Sequence, residues 1–125
     1  MTIHISELIP ERTRIDFSAE NDGSLVFELR SRDEITPTDH ARINAYRNEI
    51  AKIADQIAKT ENADEIARAN ERLHEIFGDI LRLIFVEIDE SVLKSLGTGT
   101  RQKIVQYWIN ELRASPNPNG RANQN

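Results

Sequence analysis

The sequence contains no cysteine in its 125 residues, and this absence removes several classes of protein at once. A chain without cysteine has no disulfide framework, no thiolate zinc site and no thiol-based redox chemistry. Aromatic residues make up only 6% of the chain, and hydrophobic residues 38%. No run approaches the roughly 20 apolar residues that a membrane-spanning helix needs. What remains is the composition of one small and rather polar domain.

Basic residues are also in the minority, with 16 Lys and Arg against 21 Asp and Glu, for a formal net charge of −5. Unspecific nucleic-acid binding needs a basic surface, and anionic lipid likewise attracts basic segments. Residues 1–10 lack the basic start and the apolar run of a secretory signal peptide. We therefore expect a cytosolic protein with no nucleic-acid partner and no membrane partner.

The N-terminal part of the chain has the alternation of a β-hairpin. Residues 14–17 and 24–30, apart from Val26, alternate polar and apolar side chains, and Gly23 between them supplies the positive φ of a tight turn. Residues 2–6 also alternate and are a candidate third strand. A hairpin is marginal alone, so it needs a strand, a helix or a partner against it. The predicted buried face consists of Ile15, Phe17, Leu25, Phe27 and Leu29.

Downstream of the hairpin the apolar residues recur with helical spacing. Thr36 can cap a first helix over 37–60, with Pro37 at its first position. A second helix is predicted over 63–86, capped by Thr60 or Asn62. Two further predicted helices are a short one after the cap Asp89, reaching residue 95, and a last one over 100–114.

The sequence therefore predicts an α+β protein that is mostly α. An N-terminal β-hairpin, with two or three short strands, precedes a long antiparallel helical hairpin and one or two C-terminal helices. Residues 1–114 form the predicted single domain. Residues 115–125 contain two prolines and almost no apolar side chain, so we expect a disordered tail there.

The apolar faces of the two long helices have two interpretations. Their residues alternate at spacings of three and four, as in a coiled-coil-like pair. They can pack entirely within the chain, or a partner can complete the bundle. At this stage the two interpretations are evenly matched. The residues concerned include Ile43, Ile50, Ile53 and Ile57 on the first helix and Ile66, Leu73, Ile76 and Ile80 on the second.

No motif in the sequence indicates catalysis, a metal or a cofactor. The three histidines are far apart and have no helical partner at metal-ligand spacing. Residues 97–100 lack the spacing of a phosphate loop, so Gly97 is interpreted as a helix C-cap and Thr98 or Thr100 as the next N-cap. Gly78, inside the second helix, indicates close packing under Phe77 or against the sheet. We therefore expect a protein that is not an enzyme.

The last helix carries the only tryptophan of the chain, Trp108, on an apolar face. Basic residues flank it, as in surfaces that stack on nucleic-acid bases, but its apolar neighbours on the helix favour a core or interface position. Aromatic anchors are typical of protein interfaces, so Trp108 is the predicted anchor if its helix is not fully buried. The candidate partner interface consists of Trp108, Tyr107, Ile104, Leu112 and Phe85.

This layout resembles the tail assembly chaperones of long-tailed bacteriophages. The resemblance covers most of the chain up to about residue 114 and includes a similar size and acidity. It rests on the order and residue pattern of the segments rather than on an invariant motif. The segments that carry it are 15–17, 25–29 and 34–39 in the early part, and 92–96 followed by 101–108 near the end.

The resemblance implies a non-enzymatic role in the cytoplasm of a host cell. Such a chaperone binds the long helical tape measure protein, shields its apolar surface and helps recruit tail tube subunits. The family is often made in two lengths by ribosomal frameshifting. The alternative is a structural or adaptor subunit that self-assembles, or that stays in a larger complex such as the virion, through the same apolar faces.

Overall fold

A computed structural model describes residues 1–4, 12–19 and 22–112, with only the backbone for residues 111 and 112. The mostly helical α+β class predicted from the sequence is confirmed. A two-stranded antiparallel sheet precedes the helices. In chain order the elements are β1 (Arg14–Asp16), β2 (Val26–Glu28), a 3₁₀ turn (Arg32–Glu34), α1 (Pro37–Lys59), α2 (Ala63–Ile84), α3 (Glu90–Ser95), α4 (Thr98–Tyr107) and a π-helical turn (Trp108–Leu112).

The predicted β-hairpin is present, and its turn uses the expected glycine. Ile15 lies opposite Phe27 in the β1–β2 register. Gly23 has φ +81°, a conformation that side-chain-bearing residues rarely adopt. The prediction was wrong for Leu25, which is 38% exposed because it belongs to the turn rather than to the sheet. Residues 1–4 form no strand, and the rest of the predicted third strand lies outside the described residues.

The segment after α2 takes the third position beside the hairpin. Leu29 and Phe85 form an antiparallel bridge. The Arg30 amide donates to the Ile84 carbonyl at 2.7 Å, and the Val86 amide donates to the Glu28 carbonyl at 2.9 Å. This pairing explains why α2 ends at Ile84 rather than at residue 86, since the Ile84 carbonyl and the Val86 amide bond to Arg30 and Glu28 instead of continuing the helix.

The two long helices form an antiparallel pair. Tyr46 on α1 contacts Asp79 on α2, and Glu49, further along α1, contacts Arg72, which comes earlier on α2. The two helices therefore run in opposite directions. At the start of α1 the Thr36 hydroxyl accepts a hydrogen bond from the Asp39 amide at 3.2 Å. Of the two predicted caps for α2, Asn62 is the one used, and it accepts from the Asp64 and Glu65 amides.

The C-terminal helices differ from the prediction at their junction. Asp89 caps α3 as expected, with its carboxylate accepting from the Ser91 amide at 3.0 Å. Gly97, however, has φ −71° and is the N-cap of α4 rather than a left-handed C-cap. The helix therefore begins at Thr98, two residues earlier than predicted. The predicted disordered tail, 115–125, lies outside the described residues.

The core lies where the hairpin, α2 and α4 meet. Phe17 contacts Phe27 and Phe85 with ring centroids 5.9 and 6.0 Å apart, so the sheet packs on the segment after α2. α1 contributes Ile43 and Ile53. The side chains with the least exposure are Phe85, Leu29, Ile76, Ile80, Leu81, Ile84 and Leu93.

An ion pair fixes the turn between the hairpin and α1. The Arg12 Nε donates to both carboxylate oxygens of Glu34 at 2.9 and 3.1 Å, and the Ser31 amide donates to the same carboxylate at 2.9 Å. Only 9% of the Glu34 side chain is exposed. Hydrogen bonding from Arg12 lowers the pKa of Glu34 to about 2, and the Ser31 amide acts in the same direction.

We expect Glu34→Gln to destabilise the domain at neutral pH and not in strong acid. Because the pKa of Glu34 is lower in the folded state, its ionised form contributes stability above pH about 4.5, and that contribution is lost as the pH falls towards about 2. Urea unfolding at pH 7 should show a loss of about 1 to 3 kcal/mol that disappears near pH 2. Glu61→Gln, in the exposed α1–α2 loop, is the control. An equal loss for Glu34→Gln at both pH values would contradict the assignment.

Candidate partner-binding surface

The residues predicted to form a partner interface are mostly buried. Phe85, Ile104 and Trp108 are 1%, 8% and 5% exposed, so these three side chains belong to the core and offer little free surface in this conformation. Tyr107 is 42% exposed. Leu112 lies in the π-helical turn, and its side chain is outside the part of the chain that the structure describes. Among the described side chains, the predicted interface therefore reduces to Tyr107.

Trp108 is buried because it has a specific partner in the N-terminal part of the chain. Its indole Nε1–H donates to the Arg30 carbonyl at 2.8 Å. The Arg30 amide in turn donates to the Ile84 carbonyl. Buried indole N–H groups need such an acceptor. Trp108 therefore ties the end of α4 to the segment after β2 and to the end of α2.

Arg101 is the buried polar residue of the described core, with 6% exposure. Its guanidinium donates to three backbone carbonyls, those of His74 at 2.9 Å, Leu93 at 2.9 Å and Leu96 at 3.1 Å. The fork-shaped, five-donor guanidinium is suited to acceptors in several directions. One side chain thus joins α2, the C-terminal end of α3 and α4.

Gly78 makes room for this guanidinium. A Cβ at Gly78 would overlap Arg101 Nη1, so the close neighbour that requires a glycine is Arg101. The sequence had predicted close packing under Phe77 or against the sheet instead. Burial lowers the pKa of Arg101, and the nearby positive charge of Arg82 acts in the same direction. Sequence reasoning missed this role, although a signal exists. Arg101 precedes Ile104, Val105 and Trp108 by three, four and seven residues, which places it on the apolar face of α4.

α4 covers only the second half of α2. Its first residue, Thr98, lies beside His74, with 2.8 Å between Thr98 Oγ1 and His74 Nδ1. Its far end, at Trp108, reaches the Arg30 carbonyl next to Ile84. α4 therefore runs parallel to α2 from the middle of that helix to its end. The first half of α2 and the second half of α1 have no described helix in the corresponding position.

An apolar surface extends along the uncovered half of the helical hairpin, and we call it the open face. Its large side chains are half-buried, and its alanines are exposed. On α1 each of the other residues lies three or four positions from Ala54, and on α2 the two residues are seven apart, which is one step of three plus one of four. The residues on each helix therefore share one side. Small side chains there leave room for another helix to approach closely. The open face consists of Ile50, Ala51, Ala54, Ile57 and Ala58 on α1 and Ile66 and Leu73 on α2.

The opposite side of the same hairpin is closed by polar contacts. The Arg72 guanidinium donates to both oxygens of Glu49 at 2.7 and 3.1 Å. Beneath this ion pair the seam is formed by Ile53 and Ala69, which are buried. The two sides of the hairpin therefore differ in chemistry, with a charged rim on one side and alanine and isoleucine on the other.

Within the described ranges, no group of three or more His, Asp or Glu side chains could hold a metal ion. None of the described helices is long and apolar enough to cross a membrane. Comparison with protein-family models, with curated proteins and with solved structures finds no match for this chain.

Proposed function

We propose that this chain is a non-enzymatic, phage-type tail assembly chaperone that binds an apolar helix of the tape measure protein on its open face. The observation that supports the proposal is the uncovered half of the helical hairpin. There the buried row of Phe77 and Ile84 on α2 continues towards the N-terminus of that helix, past the start of α4, to the half-buried Leu73 and Ile66. A partner helix placed there would extend the packing that α4 begins.

The chemistry of the open face suits an amphipathic helical partner. Helix-in-groove recognition uses apolar anchors spaced three and four residues apart, as on the partner's side of a coiled coil. The exposed Ala51, Ala54 and Ala58 allow a short distance between helix axes, while Ile50 and Ile57 supply contact area. The chain itself is acidic, which favours solubility of a complex that shields an apolar partner. Recruitment of tail tube subunits is a further part of the proposal.

The alternative function is that of a structural or adaptor subunit that uses the open face for self-assembly. An isologous contact would place the open faces of two copies together. The same alanine-rich surface favours this arrangement for the same steric reason. The two functions differ in what the purified chain does alone, since a self-assembling subunit forms a lasting homo-oligomer without any partner.

Ala54→Arg is expected to abolish partner binding while leaving the fold intact. Ala54 is exposed, so arginine is tolerated by the free domain, but its long charged side chain would keep a second helix away from the open face. In co-expression with the tape measure protein encoded by a neighbouring reading frame, we expect at least about tenfold less co-purified partner, equivalent to about 1.4 kcal/mol. The thermal unfolding midpoint should change little.

Ala45→Arg is the matched control for this experiment. Ala45 is also exposed on α1 and lies nine residues before Ala54, which puts it on the opposite side of the helix. It should leave co-purification unchanged. Equal retention of the partner by Ala54→Arg and Ala45→Arg would contradict the proposal. A stable homo-oligomer of the unmodified chain that Ala54→Arg dissociates would support the structural-subunit alternative instead.

A further inference from the structure

A cleft at the first half of α1 has a composition unlike that of the rest of this acidic chain. Its volume is about 250 Å³, below the 300 to 1,000 Å³ typical of sites for whole small molecules. It is therefore sized for one or two side chains. The cleft lies between the 3₁₀ turn, α1 and the π-helical turn, and its lining residues are Arg32, His40, Ile43, Asn44, Arg47, Trp108 and Ile109.

The polar side chains of the cleft are basic or neutral. Arg32 and Arg47 approach it from two different elements, and both are exposed to solvent. Within the described residues, neither guanidinium takes part in an ion pair or a side-chain hydrogen bond, whereas Arg12, Arg72 and Arg82 all pair with carboxylates. Two arginines facing one small cleft form a site for an anion.

The floor of the cleft is apolar. Ile43, Trp108 and Ile109 are 3%, 5% and 9% exposed, so they present only small apolar areas at the base. Asn44, on the same side of α1, offers an amide that can donate to an anion or accept from a peptide N–H. A bare phosphate would use the arginines and leave the floor unused. A carboxylate side chain with an apolar neighbour would use both.

We propose that this cleft binds an acidic–apolar peptide segment of a partner protein, with a carboxylate held between Arg32 and Arg47 and an adjacent aliphatic side chain against Ile43 and Trp108. The inference goes beyond the proposed function and does not depend on it, because the cleft and the open face are separate surfaces. They are nevertheless neighbours on one side of α1, since Arg47 comes three residues before Ile50. A partner engaging both would be fixed in direction by its acidic end.

Trp108 provides the readout for a direct test. As the only tryptophan of the chain, it gives a single indole N–H resonance and the only tryptophan fluorescence, both at the floor of the cleft. The probe is a blocked tetrapeptide of sequence Leu-Glu-Glu-Leu, titrated into the full chain at low salt. Its control is the neutral twin Leu-Gln-Gln-Leu, and inorganic phosphate is titrated separately. We expect saturable shifts with the acidic peptide alone.

Arg47→Glu should weaken binding of the acidic peptide at least about tenfold. Arg42→Glu is the matched control, because Arg42 is an exposed arginine of the same helix that does not line the cleft. It should change the affinity by less than about twofold. Both variants replace exposed residues, so unchanged circular dichroism spectra are expected to accompany both results.

Four outcomes would overturn the inference. The first is the absence of saturable binding by millimolar acidic peptide. The second is equal binding of the neutral twin, which would show that the charge plays no part. The third is equal weakening by Arg42→Glu and Arg47→Glu, which would show a diffuse electrostatic effect. The last is phosphate binding as tight as peptide binding, which would make the cleft a general anion site. None of these results depends on whether Ala54→Arg blocks the tape measure protein.

Discussion

Arg101→Lys is expected to remove about 3 to 5 kcal/mol of unfolding free energy, although it keeps the positive charge. The guanidinium of Arg101 reaches three carbonyls that point from different elements. A lysine ammonium is a single point on a flexible stem and cannot bond to all of them at once. The substitution therefore leaves a buried charge with too few hydrogen bonds, which is the costly case for a polar group in a core.

Urea unfolding followed by circular dichroism measures this loss, and Arg42→Lys is the matched control. Arg42 is exposed on α1, so the same chemical change there should alter the unfolding free energy by less than about 0.5 kcal/mol. Equal stability of the Arg101→Lys and Arg42→Lys proteins would show that Arg101 acts through its charge alone.

Gly78→Ala checks the same contact from the other side. In the unmodified chain the added methyl group would displace the guanidinium of Arg101, and a loss of about 1 to 3 kcal/mol is expected. In an Arg101→Ala background the space is free, and alanine should then stabilise the helix by up to about 1 kcal/mol. The same effect of Gly78→Ala in both backgrounds would contradict the packing of Gly78 on Arg101.

Trp108→Ala is expected to destabilise the domain by about 3 to 5 kcal/mol, the range for removing a large aromatic side chain from a core. Trp108 is 5% exposed, and its indole N–H holds the Arg30 carbonyl. A loss of this size is comparable with the whole stability of a marginal domain. Binding of a helix to the open face should weaken only in proportion to the unfolded fraction, because Trp108 is not on that face.

Two companion variants separate the contributions of Trp108. Trp108→Phe keeps most of the apolar volume but removes the hydrogen bond, so a smaller loss of about 1 to 2 kcal/mol is expected. Tyr107→Ala removes the exposed neighbouring aromatic ring and should have little effect on stability. Urea unfolding followed by circular dichroism compares all three, since Trp108 fluorescence is lost. Equal stabilities of Tyr107→Ala and Trp108→Ala would contradict the core position of the tryptophan.

Local sequence rules were sufficient for the parts of the fold whose causes are local. The Gly23 turn, the Thr36 and Asp89 caps and the two long helices follow from nearest-neighbour chemistry and helical spacing, and all are present. The predicted end of α2, residue 86, was wrong by two residues, since the helix ends at Ile84. Phe85 pairs with Leu29 and Val86 with Glu28, more than 50 positions earlier, and no local pattern encodes that choice.

The proposed binding surface could be predicted only in part, because its position depends on which part of the helical hairpin α4 covers. The isoleucine rows look alike along their whole length, so the sequence alone does not distinguish the internal from the partner-facing interpretation. In the structure Ile76 and Ile80 are buried in the half of the hairpin where α4 lies against α2. On the N-terminal side of His74, Ile53 is still buried against α2, but Ile50, Ile57 and Ile66 are only half-buried and belong to the open face. Similarly, the sequence does not distinguish a core tryptophan from an interface anchor at Trp108. The distinction depends on its hydrogen-bond acceptor, the Arg30 carbonyl, which is distant in sequence. An interface anchor and a core residue have the same helical spacing.

The most direct test of the proposed function is the alkylation rate of single cysteines on α1. The chain has no native cysteine, so Ala54→Cys reports on the open face and Ala45→Cys on the opposite side of the same helix. Both should react readily in the free chain. With the co-expressed tape measure protein bound, we expect protection of Ala54→Cys and no protection of Ala45→Cys. Equal reactivity of the two cysteines in the free and the bound chain would contradict it.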